Sequence, residues 1–535
     1  MCSNTGQRLF RAGGIVNYVI RMLEHCVHPS FWGNPGKDII LEICSVLAGE
    51  LPLIHLLVRH LTVGVLALLV LSGCTTVGPD YHQPSVPVPN GWQADVSSLS
   101  EKADSSTNLT HWWRAFHDPV LDELIQRALV NNKDLKQAEG RLLEARARRG
   151  VAQADRFPIL GAKASVSRSG GSDQVGMGLT SNQFSTGFDA SWETDLFGGK
   201  RRALEAATAQ VAASEADLAA VQTSLTAEVG VNYLNLRAFA ARLDVAQSNL
   251  SIQMETRDLA KWRYQAGLAS RLDVDQATSA LEQTRAQIPA LKTSVAQAKN
   301  QIAVLLGINP EDMPPFAAAP IPQADAMIAT GIPADLLRRR PDIRRAERQL
   351  AAQTAQIGVA TAAQYPDFSL AGSIGLASLT AGNLFAAGAR TFSIGSNAAW
   401  TLFDAGRIHQ NIQIQNALQA QALAQYESTV LNAFAEVENA LTAYARERER
   451  RAALAEAVGA AQSAETLARS QYAAGLIDFQ SVLDTQRSLL TLQDLLVTSE
   501  ATVSSSLIQL YKALGGGWTA RAPTNAPSSS SEITP

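Results

Sequence analysis

The sequence repeats itself at a constant offset, and this duplication restricts the possible folds more than any other feature. Trp192 and Trp400 are 208 residues apart, and so are Pro158 and Pro366. Further pairs at this offset are Leu129/Leu337, Asp134/Asp342, Ala138/Ala346, Val151/Val359, Glu228/Glu436, Val229/Val437, Tyr264/Tyr472, Gly267/Gly475, Leu268/Leu476, Leu306/Leu514 and Gly307/Gly515. Two halves that align almost without gaps indicate one architecture built twice.

Each half contains two segments in which apolar residues alternate with small or polar ones. In the second half Phe368, Leu370 and Ile374 are separated by serines, glycine and alanine. A period of two over about ten residues predicts a β-strand with one apolar and one polar face. We therefore predict strands at about 157–168, 183–195, 365–377 and 391–403, joined by glycine-rich hairpin loops. The pattern fits strands between lipid and water, and it also fits the edge of a soluble sandwich.

The longest segments follow a seven-residue spacing. Val274, Leu281 and Ile288 are seven residues apart, and their counterparts in the second half share this spacing. Sustained heptads predict coiled-coil packing, so we expect long helices over about 200–306 and 405–514. A helix from 200 to 264 would be roughly 98 Å long at 1.5 Å per residue. Pro289 interrupts one heptad seam, and we expect a local kink there.

Four such strands can cross a bilayer but cannot close into a cylinder. An unpaired strand edge in hydrocarbon leaves backbone groups unsatisfied at several kcal/mol each. The chain is therefore expected to oligomerise, and three copies would supply twelve strands around a polar lumen. The long helices would continue this α+β membrane protein as a hollow tube projecting about 100 Å from the membrane.

Composition excludes several other classes of protein. Charged residues make up 18% of the chain and the net charge is −4, so we expect no nucleic-acid partner. Residues 75–535 contain no uninterrupted apolar run of about 20 residues, which argues against a polytopic helical membrane protein there. The cysteines form no metal-binding pattern, and His111 and His117 lack a catalytic partner at a usable spacing. We expect neither an enzyme nor a cofactor.

The N-terminal region resembles a bacterial lipoprotein signal. Residues 59–71 have a basic start and a short apolar core, followed by Leu71-Ser72-Gly73-Cys74. Cys74 is therefore the predicted lipidation site, the alternative being a chance cysteine after an apolar run. Residues 1–73 are interpreted as an extension plus signal peptide, with translation expected to begin near Val58. Residues 74–110 are predicted to form an extended, proline-rich tether, and 519–535 a disordered tail.

Three motifs resemble the TolC/OprM-like (NodT) family of outer-membrane efflux lipoproteins. They are the lipobox with Gly78-Pro79-Asp80-Tyr81, the string Trp112-Trp113…Phe116…Asp118-Pro119…Leu121, and the string from Gly331 to Ile343 that contains Arg338-Arg339-Arg340-Pro341-Asp342. The resemblance covers residues 74–517, with efflux repeats at 111–307 and 308–518. It implies a lipid-anchored homotrimer in the outer membrane, with a twelve-stranded β-barrel and a periplasmic α-helical barrel. It also implies two partners, a periplasmic adaptor and an inner-membrane pump, usually of the RND type.

The resemblance also suggests functional positions in the helical part. Gly267-Leu268 and Gly475-Leu476 lie between helical stretches and would form tip turns that face the adaptor. Asp273 and Asp484 resemble the family's acidic periplasmic gate, and three copies would form a ring of six negative charges. Both carboxylates could instead be solvated residues of a helix face. Ser481 stands where family members often carry another acid, so we expect a gate that is weaker or closed differently.

Three functions are consistent with the sequence. The first is a passive exit duct for small toxic compounds, and the second is the same duct serving protein secretion. The acyl anchor and the string around Arg340 favour the first. The third is a coiled-coil lipoprotein that scaffolds the envelope without forming a channel. Such a lumen selects weakly, so specificity for the cargo is expected in the pump.

Overall fold

The structure is a computed structural model and describes residues 76–93, 109–172, 174, 178–324, 336 and 338–518. The signal peptide, Cys74, part of the tether and the C-terminal tail lie outside the described residues. A 3₁₀ segment, Leu109–Phe116, leads into the first repeat. The main elements follow in this order: α1 (Pro119–Asn131), α2 (Lys133–Ala154), β1 (Ile159–Gly170), β2 (Thr180–Thr194), α3 (Gly199–Gln265), α4 (Arg271–Leu305), α5 (Pro341–Ala362), β3 (Asp367–Ser378), β4 (Arg390–Ala399), α6 (Arg407–Ala473) and α7 (Phe479–Ala513).

The duplication seen in the sequence is also a duplication of elements. Helices α3 and α6 both have 67 residues, and α4 and α7 both have 35. The first and last residues of each pair are 208 positions apart, as are those of α2 and α5. A helix of 67 residues is about 100 Å long at 1.5 Å per residue. The heptad pattern therefore located these helices correctly.

The four strands form one antiparallel sheet in the order β1-β2-β3-β4. The two repeats meet in its centre, where Phe188 of β2 lies opposite Ile374 of β3. Strands β1 and β3 begin two residues later than the pattern predicted, and β4 ends four residues earlier, at Ala399. Within the described sheet β1 and β4 are its two edges, each paired on one side only.

The main hydrophobic core lies where the shorter helices cover the middle of the long ones. Trp112 is almost fully buried and stacks on Tyr511 of α7, with ring centroids 5.7 Å apart. Tyr233 of α3 is also buried, and its hydroxyl donates a 2.8 Å hydrogen bond to Asp118. Asp118 in turn caps α1 by accepting from the backbone N–H groups of Val120 and Leu121. The aromatic string found in the sequence is thus a packing element.

Helix α4 passes through Pro289 without a break in its assigned span. Proline cannot donate a backbone hydrogen bond, so the helix loses one bond at this position. The Thr293 hydroxyl donates to the Pro289 carbonyl at 3.0 Å, one turn further along. The kink of the helix axis at Pro289 stays a prediction. None of the helices in the described part of the chain has an apolar stretch suited to crossing a bilayer.

Candidate conduit and helical tips

The odd-numbered residues of β1–β4 form the polar face of the sheet, and serine dominates it. Ser165 and Ser185 hydrogen-bond across β1 and β2 at 2.7 Å, and Ser373 and Ser393 do the same across β3 and β4 at 2.8 Å. Lys163 forms a 2.9 Å ion pair with its neighbour on β2, Asp189. This face is hydrophilic and consists mainly of small side chains, which suits the wall of an aqueous lumen.

The even-numbered residues form the apolar face, and no part of the described chain covers it. Phe392 is 84% exposed and Ile394 is 89% exposed, although both are large apolar side chains. Phe188 and Ile374 are opposite each other on the same face and are also exposed. An apolar surface of this extent on a sheet indicates contact with membrane or with another protein.

Two tryptophans mark the end of the sheet nearest the helices. The Trp192 indole donates to the Arg156 carbonyl at 2.9 Å, and the Trp400 indole donates to the Gln364 carbonyl at 3.0 Å. Both rings are partly exposed on the apolar side. Tryptophan at the end of an apolar band, with its N–H satisfied, is typical of a membrane–water interface.

A cavity of about 630 Å³ lies where the polar face meets the helices. Polar residues supply much of its lining, among them Asp155, Glu193, Lys200, Ser369 and Asn397. The hydrophilic surface of the strands therefore continues onto the helices. This continuity is what a duct through both parts of the molecule requires.

The predicted tip turns lie between α3 and α4 and between α6 and α7. Gly267 and Gly475 adopt φ values of 74° and 75°, a left-handed conformation that glycine takes at little cost. The Leu268 N–H donates to the Arg263 carbonyl at 2.8 Å, and the Leu476 N–H donates to the Gln471 carbonyl at 2.9 Å. These bonds close both helix ends as Schellman motifs. Leu268 and Leu476 are left 67% and 74% exposed.

Arg263 connects the two tips, which the sequence did not reveal. Its guanidinium donates to the carbonyls of Tyr472 and Ala473 at 2.9 and 3.1 Å and lies 4.8 Å from the centre of the Tyr472 ring. A cation is favoured at a helix C-terminus, where carbonyl groups lack partners. Burial and the nearby charge of Asp273 raise the pKa of Tyr472, and the effect of Arg263 opposes them. The α3 end is thus attached to the α6 end.

Asp273 has a structural role in the first turn of α4. Ser270 and Asp273 form a capping box, in which Ser270 Oγ accepts from the Asp273 N–H and the carboxylate accepts from the Ser270 N–H. At the equivalent start of α7 the two residue types are exchanged, since Asp478 accepts from the Ser481 N–H at 3.0 Å and from its hydroxyl at 2.6 Å. Ser481 is therefore the capping partner of an acid three residues earlier.

Asp484 is in a different environment from Asp273. It lies exposed in the second turn of α7 and accepts a 2.9 Å hydrogen bond from Gln480, with Arg487 at 3.9 Å. The two acidic gate candidates thus belong to different hairpins and have separate partners within the chain. Of the two, Asp484 has the side chain that is more open to solvent.

A buried polar layer above the tips was not predicted. Gln486 of α7 donates to Thr256 of α3 at 2.8 Å and to Glu465 of α6 at 3.2 Å, and all three residues are buried. Polar groups are tolerated in such a position because they satisfy one another. In the sequence they look like surface positions of a coiled coil, so only the tertiary packing reveals them.

The described part of the tether is held against the helices by Arg202, a second residue that the sequence did not point to. Arg202 is 3% exposed and donates to the carbonyls of Val77 and Gly78 at 3.0 and 3.1 Å. It also forms a 2.7 Å ion pair with Asp80. The Val77 N–H donates to the Phe197 carbonyl at 3.1 Å, next to the end of β2. Residue 76 and its neighbours therefore run beside the junction of sheet and helices.

Comparisons with known proteins agree with this architecture. The chain matches the family described as outer membrane efflux protein over residues 124–308 and 332–516, two matches that are themselves 208 positions apart. The chain belongs to the outer membrane efflux protein family.

Named relatives extend over most of the chain. The toluene efflux pump outer membrane protein TtgC of Pseudomonas putida is 35% identical over 457 residues, which cover 84% of this chain and 94% of that protein. The cation efflux system protein CusC of Escherichia coli is 32% identical over 459 residues, covering 84% and 97%. The solved outer-membrane channel OprN is 37% identical with a TM-score of 0.79, covering 83% of this chain and 99% of that one.

This outer membrane efflux protein therefore lies in the outer membrane, where the apolar face of its sheet meets lipid and its helices extend into the periplasm. It has the fold of one chain of an outer-membrane channel, and it provides an exit route for efflux. The alternative of a soluble sandwich, which the strand pattern left open, is excluded by this membership.

Proposed function

We propose that three copies of the mature chain close one twelve-stranded barrel and form the exit duct of a tripartite efflux system. The sheet carries this proposal, because it has an uncovered apolar face, a serine-rich polar face and two edges paired on one side only. Unsatisfied edges in hydrocarbon cost several kcal/mol for each backbone group. Joining β4 of one copy to β1 of the next removes every edge.

Stoichiometry and conductance test the duct directly. Native mass spectrometry of the detergent-purified mature protein should give the mass of a trimer, and planar bilayers should show discrete conductance steps. A monomer without conductance would contradict the duct and favour the scaffold. Protein secretion would instead require passage of a polypeptide. An unfolded protein that enters the pore would block its conductance, and bilayer recordings would detect this block.

The tips are the proposed docking site for a periplasmic adaptor that links the duct to an RND-type pump. Leu268 and Leu476 support this because they are large, apolar and exposed at the far end of the long helices. The double variant Leu268→Asp/Leu476→Asp should abolish efflux of a dye in cells while leaving the purified trimer and its conductance intact. Val304→Asp is the control, because Val304 is 60% exposed at the other end of α4.

For the gate we propose that Asp484 supplies the charge that narrows the periplasmic entrance, with Asp273 acting mainly as a helix cap. The exposure of Asp484 and the capping box of Asp273 support this division. Asp484→Asn should lower the preference of the pore for cations, measured as a shift in reversal potential across a salt gradient. Asp273→Asn should change the reversal potential less and lower thermal stability more.

The proposed acyl anchor is at Cys74, two residues before the first described residue of the tether. The contacts of Arg202 support it, because they hold the start of the tether beside the end of β2, where the membrane interface lies. Intact mass of the mature protein should show an acylated N-terminal cysteine. A Cys74→Ser variant that is processed and membrane-bound in the same way would exclude the anchor.

The proposed cargo is small toxic compounds, with selection made by the pump. Relatives named for toluene and for cations belong to the same family, and the polar face of this chain consists mainly of serine and other small residues, which offer little basis for selection. Expression in a host that lacks its own channel, followed by susceptibility tests with solvents, dyes and metals, would identify the class of cargo.

A further inference from the structure

The apolar face of the sheet carries charge at two positions only. Among the even-numbered residues of β1–β4, Arg168 and Arg390 are the charged side chains, and both are exposed. The acids and the lysine of the strands, which include Asp189 and Lys163, have odd numbers and belong to the polar face. A guanidinium on a lipid-facing surface needs a reason, because it costs about 2–4 kcal/mol at the bilayer midplane and close to nothing at the interface.

Both arginines lie at the same level, far from the helices. Arg168 is opposite Asn182, which is ten residues from Trp192, and Arg390 is ten residues from Trp400. Asn182 and Arg390 are themselves equivalent positions of the two repeats, 208 residues apart. Ten residues span about 33 Å along a strand, or about 25 Å across the membrane at a tilt near 40°. This distance matches the apolar band, so the arginines reach the outer interface when the tryptophans lie at the inner one.

Nothing in the described chain neutralises these two charges. Neither Arg168 nor Arg390 forms an ion pair with a described residue, and the apolar face of the four strands contains no carboxylate. The loop between β3 and β4, residues 379–389, also lacks an acid. The β1–β2 loop contains Asp173, which lies outside the described residues. Among the described residues, therefore, no carboxylate pairs with Arg168 or Arg390, and both guanidinium groups are open to an anion from the surroundings.

The anion that fits this position is a phosphate group on a lipid of the outer leaflet. Guanidinium groups bind phosphate through two parallel N–H···O bonds, and basic side chains at a membrane surface attract anionic headgroups. In the proposed trimer, β4 of one copy adjoins β1 of the next, and this pairing brings Arg390 close to Arg168 of the neighbour. The seam between subunits would then carry two arginines that share one headgroup.

We propose that Arg168 and Arg390 form a binding site for the phosphate groups of outer-leaflet lipid, repeated at each of the three subunit seams. The site rests on the proposed trimeric barrel. It would hold the outer rim of the barrel at a fixed depth and would attach lipid across the contact between copies. If these positions served only to match the apolar band of the strands to the thickness of the membrane, a positive charge would not be needed on both strands.

Native mass spectrometry of the detergent-purified trimer with added diphosphorylated lipid A tests the site. The wild type should retain this lipid, with up to three copies per trimer, and should bind a dephosphorylated lipid A far more weakly. Arg168→Gln/Arg390→Gln should weaken retention about five-fold for each arginine and so about 25-fold in all. Lys163→Gln is the matched control, because it removes a positive charge from the polar face of β1 and should leave retention unchanged.

Other results would overturn the site. Equal retention by the double variant, or equal binding of phosphorylated and dephosphorylated lipid, would show that the arginines do not bind headgroups. Displacement of the lipid by millimolar inorganic phosphate would indicate a site for free anions. The mass and conductance of each variant separate these outcomes from failure of the duct. If the double variant is still a conducting trimer and still retains the lipid, the lipid site is wrong and the duct stands.

Discussion

Different side chains perform the same task in the two repeats. Asn132 donates to the Leu305 carbonyl at 2.9 Å, and 208 residues later Arg340 donates to the Ala513 carbonyl at 3.0 Å. Each joins the start of a short helix to the end of a long hairpin. Arg340 additionally pairs with Asp342 and Glu436, both at 2.7 Å. The arginine-rich string thus has a structural role, because Arg340 joins the start of α5 to the end of α7.

Removing the Arg340 charge should destabilise the protein strongly. Burial alone would raise the pKa of Asp342, but hydrogen bonds from Arg340 and its charge lower it overall. Arg340→Gln leaves this half-buried carboxylate without its cation, which costs about 3 kcal/mol or more in comparable pairs. Thermal unfolding should show a lower midpoint. Arg338→Gln, an exposed neighbour in the same string, should leave the midpoint within error.

The cap of α7 should respond to acid at a defined pH. Hydrogen bonds from the Ser481 hydroxyl and N–H lower the pKa of Asp478 below 3.8. A carboxyl whose pKa is lower in the folded state stabilises the fold above its unfolded pKa and loses that effect as pH falls through the folded pKa. The first turn of α7 should therefore exchange its amide hydrogens normally at pH 5 and faster, after correction for intrinsic rates, below pH 4.

Ser481→Ala provides the comparison for the acid response. It keeps the N–H donor and removes the hydroxyl donor, so the pKa of Asp478 should be lowered less and the acid-induced loss of protection should be smaller and complete at a higher pH than in the wild type. An identical pH profile in both proteins would mean that Asp478 does not hold this turn.

At the level of elements, periodicity predicted most of the fold. Heptads located α3, α4, α6 and α7, and alternation located four strands within a few residues. Both patterns record which face of an element is buried, so a single sequence contains them. The contacts of Arg202, Arg263 and Gln486 join residues far apart in the chain. No local pattern encodes such pairs, and the sequence alone therefore missed them.

Pro289 is expected to destabilise helix α4, and a single substitution can test this. The residue is exposed inside a 35-residue helix, and its equivalent in α7 is Val497. Proline in a helix interior costs about 3 kcal/mol relative to alanine because it lacks an N–H donor and crowds the preceding turn. Pro289→Ala should raise the unfolding midpoint, whereas Ala290→Gly beside it should lower it. An unchanged midpoint in Pro289→Ala would show that the helix accommodates the ring without strain.

The two hairpins should separate more easily without Arg263. Its bonds to the Tyr472 and Ala473 carbonyls attach the end of α3 to the end of α6. Arg263→Gln should therefore increase the mean conductance in planar bilayers, because the α3–α4 and α6–α7 hairpins restrain each other less. Arg257→Gln is the control, since Arg257 pairs with Asp258 of its own helix. Equal conductance of both variants would exclude Arg263 as a restraint.

For the whole molecule, the alternation of the strands decides where charge is tolerated. Ile394 and Ser393 are adjacent in β4, yet one belongs to the apolar face and is 89% exposed, and the other hydrogen-bonds to Ser373 on the polar face. Their opposite surroundings imply opposite responses to the same substitution. Of the proposed arrangements, only a barrel in lipid places Ile394 in lipid and Ser393 in water.

Ile394→Lys places an ammonium group near the middle of the apolar band, where it costs about 2–4 kcal/mol. Membrane fractions should then contain less trimer, and unfolded chains should accumulate. Ser393→Lys places the same group in the lumen, so the amount of trimer should be unchanged and the reversal potential should shift toward anion selectivity. Quantitative blotting of unheated samples and bilayer recordings measure the two effects. If both variants assembled equally and neither altered selectivity, the strands would not line a water-filled barrel, because no orientation of a membrane-spanning strand exposes both neighbours to the same solvent.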